Sequence, residues 1–146
     1  MCIRVRVKKD PQIYLQSGNF LANQGKHEEA LTEFYKYVDI DPTNAFVWNN
    51  IGVAKLCLGH AKESIENFNK AIEIDNSYRD GFHNRGLAYS DLNELDLALS
   101  DLDKAIKIDP SHWASFRHRS IIHHMLGNND ESYGDYIKSK NIESDK

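Results

Sequence analysis

Residues 79–112 read RDGFHNRGLAYSDLNELDLALSDLDKAIKIDPSH, a stretch that contains one complete structural unit. Phe82, Gly86 and Tyr89 fall within about 60° of one another at helical spacing, so they form one apolar stripe with a small residue at its centre. Asn93 interrupts the pattern, and asparagine, like glycine, tolerates the left-handed conformation that ends a helix. A second stripe follows at Ala98, Leu102, Ala105 and Ile106. Pro110 then disfavours helix at Asp109, the residue before it. The stretch predicts two short helices joined by a tight turn.

The same unit recurs at a period of 34, and residues 11–44, 45–78, 79–112 and 113–146 align beneath one another. Column 4 holds Tyr14, Trp48, Phe82 and Phe116. Column 8 holds Gly18, Gly52, Gly86 and Ser120, and column 15 holds Gly25, Gly59, Asn93 and Gly127. Column 20 is Ala30, Ser64, Ala98 and Ser132; column 24 is Phe34, Phe68, Leu102 and Tyr136. Column 30 is always Ile (Ile40, Ile74, Ile108, Ile142), followed by an acid each time (Asp41, Asp75, Asp109, Glu143). A helical hairpin of this size cannot cover its own apolar face, so the units must stack on one another. The expected fold is all-α, a right-handed α-solenoid of stacked antiparallel helical hairpins over 11–146, with residues 1–10 as an N-terminal tail. In that tail Ile3, Val5 and Val7 alternate with basic residues, which leaves open a paired strand or a loose end.

The aromatic–x–x–x–Gly opening, the alanine near column 20, the aromatic near column 24 and the proline near column 32 together resemble the tetratricopeptide repeat family. The resemblance covers nearly the whole chain and implies a protein-interaction fold without fixing what is bound.

Composition narrows the class of activity. Apolar residues make up 40% and charged residues 27%, with only three prolines, which is a globular rather than disordered balance. A net charge of -4 disfavours a surface that tracks nucleic-acid phosphates. Two cysteines, Cys2 and Cys57, are too few for a disulfide framework, and no apolar run reaches membrane-spanning length. The expectation is a cytoplasmic protein with no membrane or nucleic-acid partner. His118, His123 and His124 lack the three- or four-residue spacing of two ligands on one helical face, so no metal site is expected. No phosphate loop, H-E-x-x-H motif or activated nucleophile is present, and the chain reads as non-enzymatic and cofactor-free.

Column 7 reads Ser17, Ile51, Arg85 and Arg119, and column 23 reads Glu33, Asn67, Asp101 and Asp135. The two units with Arg at one column carry Asp at the other. Antiparallel packing would bring the columns together, so structural ion pairs Arg85–Asp101 and Arg119–Asp135 are predicted.

In the resembled family, the face of each first helix opposite its buried stripe lines a concave groove. Carried onto this chain, that face supplies Gln16, Asn50, Asn84 and His118 at column 6 and Asn19, Val53, Leu87 and Ile121 at column 9. Asn49, His83 and Arg117 stand at its edge in column 5. A side-chain amide can donate to and accept from a peptide unit, so a polar column along a groove suits an extended segment of a partner protein. The clamp by which some family members hold chaperone tails resembles Lys and Asn in one unit, Asn in the next, then Lys and Arg. Here Asn19 and Asn50 match, but Leu15, Asp80 and Asn84 stand where that clamp has its three cations.

The fourth unit is the most polar, with Ser120, Ser132, Ser139 and Lys140 at columns 8, 20, 27 and 28, as befits an outer face that meets water. Members of the resembled family often end with an extra capping helix, which is not seen after this unit, so either the last hairpin caps itself or another molecule covers it, touching Tyr133, Tyr136 and Ile137. An adaptor that clasps a peptide in its groove is thus expected. The second expectation is an assembly element that stacks through its C-terminal hairpin, including a weak homodimer.

Overall fold

The computed structural model describes residues 9–145, so the alternatives for Ile3, Val5 and Val7 and the place of Cys2 lie outside the described residues. Eight helices follow one another: α1 (Gln12–Asn23), α2 (His27–Val38), α3 (Ala45–Cys57), α4 (Ala61–Ile74), α5 (Arg79–Asp91), α6 (Leu95–Ile108), α7 (Trp113–Met125) and α8 (Asn129–Ser144). No strand occurs among the described residues. The helices pair as four hairpins, and each hairpin packs on the next, which makes the chain an all-α solenoid.

The turns follow from local chemistry. Gly25, Gly59 and Gly127 have φ of 75, 83 and 80°, and Asn93 has φ of 59°, so all four hairpin turns place a left-handed residue at column 15. Between hairpins a side-chain device repeats. Asp41 Oδ1 accepts from the backbone N–H and the hydroxyl of Thr43, Asp75 Oδ1 from those of Ser77, and Asp109 Oδ1 from those of Ser111, at 2.6–3.0 Å. This turn explains the acid after the column-30 isoleucine in the first three units, where the carboxylate replaces the helical hydrogen bonds that the chain gives up; Glu143, after Ile142, still lies within α8. Those isoleucines themselves stay largely outside the core, with Ile40, Ile74 and Ile108 exposed.

The core forms where successive hairpins meet. Val47 and Ile51 of the second hairpin pack among Ala30, Phe34, Tyr37 and Val38 of the first. Ile122 of the fourth packs against Ala98 and Leu102 of the third. Glycine at column 8 makes room for the column-24 ring: a Cβ on Gly18 would collide with Phe34, and one on Gly52 would lie 2.5 Å from the Phe68 ring.

The fourth hairpin departs from the sequence expectation. Ser120 and Ser139 face inward, 6% and 0% exposed. Ser120 Oγ donates to Ser132 O and Ser139 Oγ to Tyr136 O, each at 2.7 Å, so both hydroxyls are satisfied within the hairpin and need no water. Only Lys140 of the polar set is exposed outright. The Cβ of Ser120 occupies the slot that glycine leaves open elsewhere, and Tyr136 is 40% exposed where Phe34, Phe68 and Leu102 are buried.

Candidate functional site

First helices pack on first helices, α3 on α5 and α5 on α7, whereas the second helices pack mainly on first helices. The first helices therefore converge on the inner side of the stack. The groove candidates stand on these first helices. Gln16 and Ile121 are exposed; Asn19, Asn50, Val53, Asn84, Leu87, Arg117 and His118 are half-buried.

Two column-5 residues lie elsewhere. Asn49 is 5% and His83 is 7% exposed, so neither lines an open groove. Each is sealed between successive first helices, because the 34-residue repeat brings column 5 of one unit against the helix of the next. There they serve as connectors. Asn84 Nδ2 donates to Asn49 Oδ1 at 3.0 Å, and Asn50 Nδ2 donates to Asn19 Oδ1 at 2.9 Å. The column-6 amides thus hang from the preceding hairpin, held at fixed orientation.

Between α5 and α7 the connector is a histidine cluster. His83 Nδ1 and His112 Nδ1 lie 2.8 and 2.7 Å from Ser115 Oγ. A hydroxyl carries one proton, so Ser115 donates to one ring and accepts from the other. The His83 ring meets those of His112 and His118 at 4.9 and 5.0 Å between centroids. Burial, with His118, His112 and Arg79 nearby, pushes the His83 imidazole down to about 3. Burial also lowers His118 below its ordinary value. Ser115 was not among the expected residues; its only signal is a small polar side chain at a column otherwise filled by Ile13, Val47 and Gly81.

The arginines of column 7 lie in the walls between hairpins. Arg85 donates from Nε and Nη2 to both oxygens of Asp101 at 2.7 and 2.8 Å, and Arg119 repeats the fork on Asp135 at 2.7 Å. Each also reaches back one hairpin: Arg85 Nη1 donates to Asn69 Oδ1 and Arg119 Nη1 to Asp103 Oδ1, both at 2.7 Å. Donating to Asp101 holds the Arg85 guanidinium above its ordinary value, and donating to Asp135 does the same for Arg119. Asn69 and Asp103 escaped the sequence reading. Both stand at column 25, sixteen residues before their arginine as the aspartate stands sixteen after, and that symmetry is the signal that could have found them.

A cavity of about 400 Å³ lies between the first two hairpins. Its floor is apolar (Ala22, Phe34, Phe46, Val53, Ala54), and its rim carries Asn19, Asn23, His27 and Asn50. Phe46 is 44% exposed there; it occupies column 2, on the same helical face as the expected groove residues.

Models described as "Tetratricopeptide repeat" match residues 11–44, 47–78 and 80–112. No curated protein matches the chain in sequence. Among solved structures, TTC0263, a thermophilic TPR protein of Thermus thermophilus, superposes with a TM-score of 0.85 at 22% identity, covering 92% of this chain and 75% of that one. MamA 41-end from Desulfovibrio magneticus RS-1 gives 0.84 at 21%, covering 95% and 78%. At such identities the likeness is one of fold alone. The first TPR of Spaghetti (RPAP3), bound to the HSP90 peptide SRMEEVD, gives 0.77 at 25%, covering 80% of this chain and 93% of that one. No helix among the described residues is long and apolar enough to cross a membrane.

Proposed function

Because this chain belongs to the tetratricopeptide repeat family, a fold of protein–protein interaction modules and typically a non-catalytic scaffold, we propose that it is an adaptor holding an extended segment of a partner along α1, α3, α5 and α7. One observation carries the reading. Asn50 and Asn84, one repeat apart, each spend one N–H on the preceding hairpin. Each keeps a second N–H and a carbonyl oxygen for a peptide unit, in an orientation already set, so little side-chain entropy is lost on binding. Val53, Leu87 and Ile121 beside them supply apolar contact, and the recess at Phe46 and Val53 suits an aliphatic anchor.

The chaperone tail held by the RPAP3 domain is a poor candidate for this groove. Leu15 removes one cation of the clamp, and Asp80 places a carboxylate where a second is needed. Arg79 binds that carboxylate at 2.6 Å but already shares its charge with Asp109 at 2.7 Å.

Selection from a phage-displayed random peptide library tests the proposal. Enriched peptides titrated into ¹⁵N-labelled protein should shift the side-chain amides of Asn50 and Asn84, and Val53→Glu should weaken them at least about tenfold, near 1.4 kcal/mol. The peptide SRMEEVD should show no saturation below about 1 mM. A library yielding no binder, or binders whose shifts cluster on α2, α4 and α6, would overturn the groove reading.

A further inference from the structure

The two ends of the stack carry the two halves of the junction that recurs inside it. Within the stack, columns 3 and 10 of each first helix are buried against the preceding hairpin: Val47 0%, Ala54 2%, Ala88 0%, Ser115 0% and Ile122 1% exposed. On α1 the same columns hold Ile13 and Phe20, at 61% and 63%. At the other end, the face of α8 that would receive a following hairpin shows Tyr133 at 68%, Tyr136 at 40% and Ile137 at 38%.

We propose that a second copy of this chain occupies these faces head to tail, with α1 of one copy seated on α7 and α8 of the next. The internal junctions set the register. Ile122 at column 10 packs on Ala98 and Leu102, with Leu95 and Leu99 beside them, which puts Phe20 of an incoming copy on Tyr133 and Tyr136. A Cβ at column 3 of α5 meets the column-28 side chain Ile72 at 3.0 Å. At the open end column 28 is Lys140, which would lay its stem on Ile13 and bring its ammonium to Asp10, the carboxylate beside the start of α1. The column-6 amides reach the preceding hairpin at column 5 (Asn84 to Asn49) or column 9 (Asn50 to Asn19). At the trailing end these columns hold Arg117 and Ile121, and the guanidinium hydrogens of Arg117 suit the Gln16 carbonyl oxygen. Apolar, ionic and hydrogen-bonding positions agree in one register, which favours a copy of this chain over an unrelated helix. Such an interface joins two different faces, so the assembly grows open-ended rather than closing as a dimer.

Sedimentation and light scattering from about 1 μM to about 1 mM test this, a range that spans weak association. Wild-type mass should rise steadily with concentration. Phe20→Asp spoils only the leading face and Tyr133→Asp only the trailing face, so each alone should stay monomeric with unchanged helical circular dichroism. Mixed in equal amounts they retain one good junction and should form a one-to-one dimer and nothing larger. A monomeric wild type at the highest concentration overturns the proposal. So does a wild type that stops at a dimer, or a mixture of the variants that stays monomeric while the wild type associates. Association seen only after removal of residues 1–8 overturns it too and assigns the α1 face to that segment. Neither Phe20 nor Tyr133, the two substituted positions, is a groove residue, so either proposal can fail while the other stands.

Discussion

Gly52 and Gly86 share column 8, yet their neighbours differ. A Cβ at Gly52 would lie 2.5 Å from a carbon of the Phe68 ring, and Phe68 is fully buried with nowhere to move. A Cβ at Gly86 would lie 3.2 Å from Leu102 Cγ and 3.3 Å from Ala98 O, contacts that a few tenths of an ångström relieve. Alanine also gains about 0.5–1 kcal/mol over glycine within a helix. Gly52→Ala should therefore cost about 2 kcal/mol in urea unfolding, while Gly86→Ala stays within about 1 kcal/mol of wild type. Equal losses at the two sites would show that the size of the column-24 side chain does not set the approach of the helices. The sequence made both glycines visible as a column. The difference between them was not visible, because it depends on how a phenyl ring and a leucine fill the same slot.

Helices α5 and α7 are each tied both to their own partner helix and to the hairpin before. Arg85 is the tie at α5; its side chain is 20% exposed and that of Asp101 is 5%. Removing the arginine leaves a buried carboxylate without its counter-charge and frees Asn69 as well. Arg85→Ala should cost about 3 kcal/mol, whereas replacing Arg85 and Asp101 together by leucine should cost far less, since no charge is then stranded. A single-variant loss under about 1 kcal/mol would class the pair with solvated surface bridges. The repeat made the Arg–Asp half of this tie readable, since both partners lie in one hairpin. The Asn69 and Asp103 half needed the relation between hairpins.

The α5–α7 contact should also respond to acid. Unfolded histidine takes its proton near 6.5, while folded His83 resists until about 3. Above 6.5 both states are neutral there and the group contributes no slope. Below 6.5 the unfolded chain binds a proton that the folded chain refuses, so stability falls with pH down to about 3. His118 adds in the same direction. Each fully resisting histidine steepens the fall by up to about 1.4 kcal/mol per pH unit. Arg79 and Arg117 stand nearby as fixed cations, and Asp109, held down to about 2 by Ser111 and Arg79, keeps its charge through most of the window. In His83→Gln the slope between pH 6.5 and 4.5, read from urea midpoints, should be shallower than in wild type. An identical slope would remove His83 as its source.

At the scale of the whole molecule, hairpins in series share one interface form, and the inner and outer sides follow from it. First helices meet first helices while second helices meet chiefly first ones, so residues of one column recur at equivalent places along the stack regardless of their neighbours in sequence. The same serial logic leaves Ile13 and Phe20 at one end and Tyr133 and Tyr136 at the other; the counterparts of Ile13, Phe20 and Tyr136 elsewhere in the stack are buried, and those of Tyr133 are half-buried.

The sequence by itself determined the period, the two helices per unit, the left-handed residues at Gly25, Gly59, Asn93 and Gly127, and the faces on which apolar side chains recur. These are local or periodic matters, settled by backbone sterics and by 3.6-residue geometry. Only the tertiary structure decided depth and partnership. It sealed Asn49 and His83 between helices, turned Ser139 inward, joined His83 and His112 through Ser115 with His118 against the His83 ring, and gave each arginine its second anchor. Helical spacing fixes the direction in which a side chain leaves its helix. How close the next hairpin comes, and which atom waits there, depends on the bulk of side chains one repeat away.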